Sequence, residues 1–185
     1  MKKTTSKWLY FGAAGAAAAG VLIPLVPVLR RRAMRVTTIL RKDHRLVSAM
    51  LTTMEFTPKV NRTLINRLVE ELYDSVTMHE IVEDEILYPI VRNVATSEWK
   101  ASLEKASRGQ QIVKEKLQKL RKTDPMSGDF DKLLADFKHT ILNHAELEEH
   151  SIFPIIEERT STERQTTMGE RLHQRKKEIQ QRLAA

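Results

Sequence analysis

The sequence contains no cysteine. That absence excludes disulfide frameworks, zinc fingers, iron–sulfur clusters, c-type haem and thiol nucleophiles together. Aromatic residues make up only 5%, and glycine and proline number six each, a composition that suits helices better than a β-sandwich. After residue 35 the only glycines are Gly109, Gly128 and Gly169, so there is no Gly-rich phosphate loop, which argues against a P-loop or dinucleotide fold. Acidic residues are missing from one region alone: residues 1–35 carry seven Lys/Arg and no Asp or Glu.

What is present is one ordinary domain's worth of chain, 185 residues with 41% hydrophobic and 30% charged, too apolar for a disordered tail. The formal net charge of +7 lies wholly in the first 35 residues, because the rest balances 24 basic against 24 acidic side chains. A nucleic-acid-binding domain needs a basic face on its folded body. The body is neutral, so nucleic acid is not an expected partner.

Trp8 to Leu29 runs 22 residues without a charge. At about 1.5 Å per residue such a helix spans roughly 33 Å, enough to cross a bilayer core. Trp8, Tyr10 and Phe11 mark one end, Arg30-Arg31-Arg32 the other, and Gly12, Ala16 and Gly20 repeat every fourth residue, a face on which two such helices could form a homodimer. The expectation is an uncleaved single-pass anchor over residues 8–29, with Lys/Arg counting placing the body on the cytoplasmic side. The alternative is a signal peptide cleaved near Ala17–Gly20, which leaves a periplasmic or secreted body.

The body contains an internal repeat. His79-Glu80-Ile81-Val82-Glu83-Asp84-Glu85-Ile86-Leu87-Tyr88-Pro89 matches His144-Ala145-Glu146-Leu147-Glu148-Glu149-His150-Ser151-Ile152-Phe153-Pro154 at a constant offset of 65 residues. Both copies read His-x-x-x-Glu-acid-x-x-apolar-aromatic-Pro, and two helix-length segments separate them, as in two helical hairpins related by rough symmetry. Helical stripes agree: Leu40, His44, Val47, Leu51, Met54; then Leu64, Leu68, Leu72, Val76, His79, Glu83, Ile86, Ile90; then Leu103, Ala106, Gln110, Val113, Leu117, Leu120; then Phe130, Leu134, Phe137, Ile141, His144, Glu148, Ile152, Ile155. Breaks fall at Thr57-Pro58, Ala95–Ser97 and Thr123–Gly128. The predicted organisation is a membrane anchor over 1–35, a bundle over 36–157 and an amphipathic C-terminal helix within 158–185.

The phase of the polar residues carries the chemistry. His44, His79, Glu83, His144 and Glu148 lie within the apolar stripes, and a His and Glu four apart are only about 40° apart around a helix. Three imidazoles and two carboxylates therefore point into one core, where an unpaired carboxylate costs several kcal/mol. A cation resolves the cost, and imidazole plus carboxylate without sulfur suits iron, manganese or zinc. A zincin motif is absent, since position 83 is Glu where the second His would stand.

Over roughly residues 38–157 the chain resembles the hemerythrin family, specifically its HHE cation-binding branch, on the strength of the paired His-x-x-x-Glu-acid-x-x-apolar-aromatic-Pro elements. The resemblance implies an all-α, up-down-up-down four-helix bundle around a non-haem di-iron site, in a family whose members bind or sense dioxygen, nitric oxide or iron, or repair iron centres. By position, His44 matches the first-helix ligand, His79 and Glu83 the second-helix pair, and His144 and Glu148 the fourth-helix pair, with the two Glu bridging the irons. One position departs: Gln110 occupies the slot where the third helix usually carries His, and a neutral amide is a weaker ligand than imidazole. That leaves a labile second iron, one metal only, or a more reactive open site. His139 and His150 lie about 140° and 120° from His144 around the helix and read as surface residues.

The leading expectation is thus a membrane-tethered iron protein handling dioxygen, nitric oxide or redox state. The other classes are an oxidase or peroxidase using the open position, and a metal-poor structural bundle in which Gln110 marks decay of the site.

Overall fold

A computed structural model describes residues 31–94 and 96–183. The described chain is all-α: α1 (Val36–Phe56), α2 (Arg62–Val82), α3 (Tyr88–Val94), α4 (Ser97–Arg121), α5 (Phe130–Leu147), α6 (Phe153–Arg159) and α7 (Thr162–Leu183). Helices α1, α2, α4 and α5 pack each on the next, and α5 packs back on α1, closing a bundle. Helix α7 lies across α1 and α2.

Local chemistry sets the ends. Helix α1 stops at Phe56 because Thr57, preceding Pro58, is extended. Asn61 starts α2 by accepting the Leu64 amide at 3.3 Å. Thr96 and Asp129 occupy the N-cap positions of α4 and α5 but make no side-chain capping bond.

Two features differ from the periodicity. Leu64 is 38% exposed, and Ile65 and Val69 are buried in its place. Steps of four residues drift about 40° each, so by Leu64 the expected stripe has rotated off the core. The second difference lies in both repeat copies, where α2 and α5 each widen into a π-helical turn, Glu83–Leu87 and Glu148–Ile152. Each turn sits just before a proline, Pro89 or Pro154, which has no N–H for the carbonyl four residues back and crowds it with its ring. The extra residue shifts the phase, so Ile86, Leu87, Tyr88 and Val91 are buried while Ile90 is only half-buried.

The interior is layered. One apolar cluster gathers Leu40, Val82, Leu87, Tyr88, Ala106, Ile152 and Phe153. A second gathers Val47, Leu51, Val76, Val113, Phe137 and Ile141. In each of the four bundle helices the polar stripe residues fall between these clusters: His44, His79 with Glu83, Gln110, and His144 with Glu148.

The membrane expectation is corrected. Among the described residues no helix is long and apolar enough to cross a membrane. The physical reason is their charged outer faces; α4, the longest, exposes Lys105, Arg108, Lys114 and Lys119 beside its buried stripe. Residues 8–29, with the Gly12, Ala16 and Gly20 face, lie outside the described residues.

Candidate metal centre

His44, His79, Glu83 and Glu148 converge so that one ligand atom from each lies within 4.8 Å of all the others. His44 Nε2 and His79 Nε2 face one another at 3.1 Å. His79 Nε2 is 3.2 Å from Glu83 Oε1, and His44 Nε2 is 3.4 Å from Glu148 Oε2. Both glutamates are fully buried.

The outer nitrogens of the two imidazoles are tied down. His44 Nδ1 donates to Glu149 Oε1 at 2.8 Å and His79 Nδ1 to Asp43 Oδ2 at 3.2 Å. With Nδ1 donating, each neutral ring turns a bare Nε2 lone pair inward, so two imidazole lone pairs meet two carboxylates. Glu83 Oε1 and Glu148 Oε2 have no hydrogen-bond partner. Such a set is stable only around a proton or a cation, and the donor chemistry fits a metal ion.

The electrostatics follow the same crowding. Burial and the Glu148 charge push the Glu83 carboxyl up to about 7. Burial also acts upward on Glu148, but the facing imidazoles of His44 and His79, with His144 beyond them, hold it well below the usual carboxylate range. Burial alone would depress His79, yet Glu83 and Asp43 hold it well above its ordinary value. Metal binding to these groups displaces protons.

The remaining two expected residues sit at the edge of this group. His144 Nε2 is 3.5 Å from Glu148 Oε1, and neither of its ring nitrogens has a hydrogen-bond partner. Gly109 lies against it, and a Cβ there would stand 2.8 Å from His144 Nδ1. Gln110 is buried and donates from Nε2 to Glu83 Oε2 at 3.1 Å. His139 and His150 are exposed.

Sequence reasoning missed five contributors. Asp43 and Glu149 adjoin ligand positions, and Glu149 fills the acid slot of the repeat, so that slot was the available signal. Its counterpart Asp84 is exposed, so the repeat is chemically asymmetric. The aromatic slot was a second signal: Tyr88 Oη donates to Glu148 Oε1 at 2.5 Å, and Phe153 stacks on His44 with ring centroids 5.7 Å apart. Glu80, buried beside His79 and pushed up to about 7 by burial, lines a small cavity with Val47, Val76, Val113 and Ile141.

Three comparisons bear on this geometry. The profile of the hemerythrin HHE cation binding domain matches residues 27–156. A crystal structure of a hemerythrin HHE cation binding domain-containing protein from Mycobacterium kansasii superposes with a TM-score of 0.68 at 21% identity, covering 78% of this chain and 86% of that one. A curated protein named DNA nickase, from Nostoc sp., is 23% identical over 150 residues; that alignment takes in 81% of this chain but 41% of the nickase.

Proposed function

The chain belongs to the hemerythrin HHE cation-binding domain family, and from that membership we propose that it is a non-haem iron protein whose metal takes a small ligand, dioxygen or nitric oxide. The observation that carries the reading is the convergence of His44, His79, Glu83 and Glu148 with two carboxylate oxygens left without partners. In this reading His44 and His79 offer Nε2, Glu83 and Glu148 offer carboxylates, and His144 with Gln110 serves a second, weaker position. Iron held there would supply small-ligand binding and redox chemistry.

The chain's own residues set the conditions. Asp43 and Glu149 orient the imidazoles, Tyr88 holds one Glu148 oxygen, and the apolar layers on either side exclude bulk water. The adjoining cavity, of about 20 Å³, has room for a ligand near the size of one water molecule, which favours a diatomic over an organic substrate. The carboxylate supports on His44 and His79, which His144 lacks, favour tighter binding on the His44–His79 side. Nicking activity belongs to the Nostoc relative, of which this chain spans 41%, and the charge-neutral body gives no reason to carry it over.

Iron per chain after anaerobic reconstitution of the full chain tests the reading, followed by an optical charge-transfer band on admitting air. At least one iron per chain is expected. A reconstituted chain that holds no iron overturns it.

A further inference from the structure

We propose that α7 is a strap that positions the metal centre, with Lys176 acting through Asp43 on His79; the inference rests on the metal-binding reading above. Helix α7 lies beyond residues 27–156, the part matched to the domain family. It is nonetheless built into the core. Met168, Leu172 and Ile179 are buried in the cluster that holds Val36, Leu40, Val82 and Leu87. Gly169 lets its backbone meet the segment before α1 at a distance no other residue allows, since a Cβ there would stand 1.8 Å from the Met34 carbonyl oxygen.

Two consecutive side chains of α7 then reach the site's supports. Arg175 makes a two-pronged bond to Glu85, Nε to Oε2 at 2.7 Å and Nη2 to Oε1 at 2.8 Å. Glu85 belongs to the π-helical turn that begins at Glu83. Lys176 Nζ bonds Asp43 Oδ2, the same oxygen that accepts from His79 Nδ1 at 3.2 Å. The Lys176 and Asp43 side chains are 18% and 21% exposed, so the pair is partly shielded from solvent.

The consequence is a line from α7 to the ligands: Lys176, Asp43, His79, then Glu83 Oε1 at 3.2 Å. The ammonium group fixes the carboxylate oxygen, the carboxylate fixes Nδ1, and Nε2 is left aimed at the cluster. His44 has the same arrangement from within the bundle, resting on Glu149 with Arg41 Nε 3.8 Å behind it. His144 has no such support. Helix α7 thus supplies for His79 what the bundle supplies for His44.

The test uses the full chain and Lys176→Met, Lys176→Arg, Asp43→Asn, the Lys176→Met/Asp43→Asn double variant, and Lys177→Met, which removes the same charge from an exposed neighbour. Release of bound Co(II) and Fe(II) to a chelator should speed about tenfold in Lys176→Met, the lower end for loss of a ligand's supporting partner. Lys176→Arg and Lys177→Met should release at the wild-type rate, and the double variant no faster than Asp43→Asn alone. In the metal-free chain, at a pH high enough to leave His79 neutral, ¹⁵N spectra should show the proton on Nδ1 in wild type and a changed tautomer balance in Lys176→Met. Equal release rates in Lys176→Met and wild type, or an unchanged His79 spectrum, overturn the proposal. If wild type takes up neither metal, the iron reading falls, and the His79 spectrum alone decides the coupling to Lys176.

Discussion

Gln110 Nε2 donates a 3.1 Å hydrogen bond to Glu83 Oε2 in the buried layer between the two apolar clusters. The side chain in the third-helix slot is therefore engaged with a carboxylate of the second helix. Exchange at this position has two opposed effects. Gln110→His should remove the bond and destabilise the metal-free chain by about 1.5–3 kcal/mol, the scale for a hydrogen bond to a charged group. It should also raise iron towards two per chain by placing imidazole near His144. Urea unfolding and metal analysis read the two effects separately; unchanged iron content would count against a second position served by His144.

Removing either glutamate should empty the site without unfolding the chain. Glu83→Ala and Glu148→Ala each delete a fully buried carboxylate with an oxygen lacking a partner, so the metal-free variants should keep wild-type helicity by circular dichroism. Bound iron should fall to a small fraction. Full iron content in both variants would place the metal elsewhere.

Tyr88→Phe should separate support from ligation. Burial and the neighbouring Glu83 and Glu148 charges push the phenol's pKa upward, so Tyr88 stays a donor to Glu148. Losing that donor should cost the metal-free chain about 1.5–3 kcal/mol in denaturant unfolding. Iron should still bind, because no expected ligand is removed.

The metal-free chain should lose stability as pH rises from about 4.5 to 7. Glu80 and Glu83 have an ordinary value of 4.5 and stand at about 7 in the fold, chiefly through burial. In that window the folded chain holds more protons than the unfolded one, so unfolding becomes easier with rising pH. His79, held above 6.5, extends the fall to higher pH, and His144, depressed by burial, opposes it below 6.5. Thermal midpoints against pH should show the decline, and Glu80→Gln should flatten it.

Glycine substitutions should separate a docked helix from an open turn. Gly169→Ala sets a methyl group against the Met34 carbonyl oxygen and should cost at least about 1–3 kcal/mol. Gly128→Ala meets nothing within 4 Å and should be neutral or stabilising by up to about 1 kcal/mol. Equal thermal midpoints for the two variants would mean that α7 does not dock at Gly169.

The repeat at a constant offset and the in-phase stripes determined which side chains enter the core, because helix geometry alone puts His79 with Glu83 and His144 with Glu148 on one face. Turn residues at Thr57-Pro58 and Thr123–Gly128 marked where α1 and α4 end, and α7 lies within the segment read as a C-terminal helix. What periodicity could not supply was any relation between helices. That His44 is backed by Glu149, 105 residues away, and His79 by Asp43 and Lys176 depends on how the helices pack. The π-helical turns depend on both levels. Pro89 and Pro154 were legible as disturbances of the helix, but whether the chain would break, kink or widen was settled by burying Leu87, Tyr88, Ile152 and Phe153 in one cluster. The uncharged run at residues 8–29 was read from length and hydropathy, local properties that do not determine tertiary placement. The tertiary structure also broke the repeat's symmetry: Glu149 reaches an imidazole and Asp84 faces solvent, because the two copies have different helices beside them.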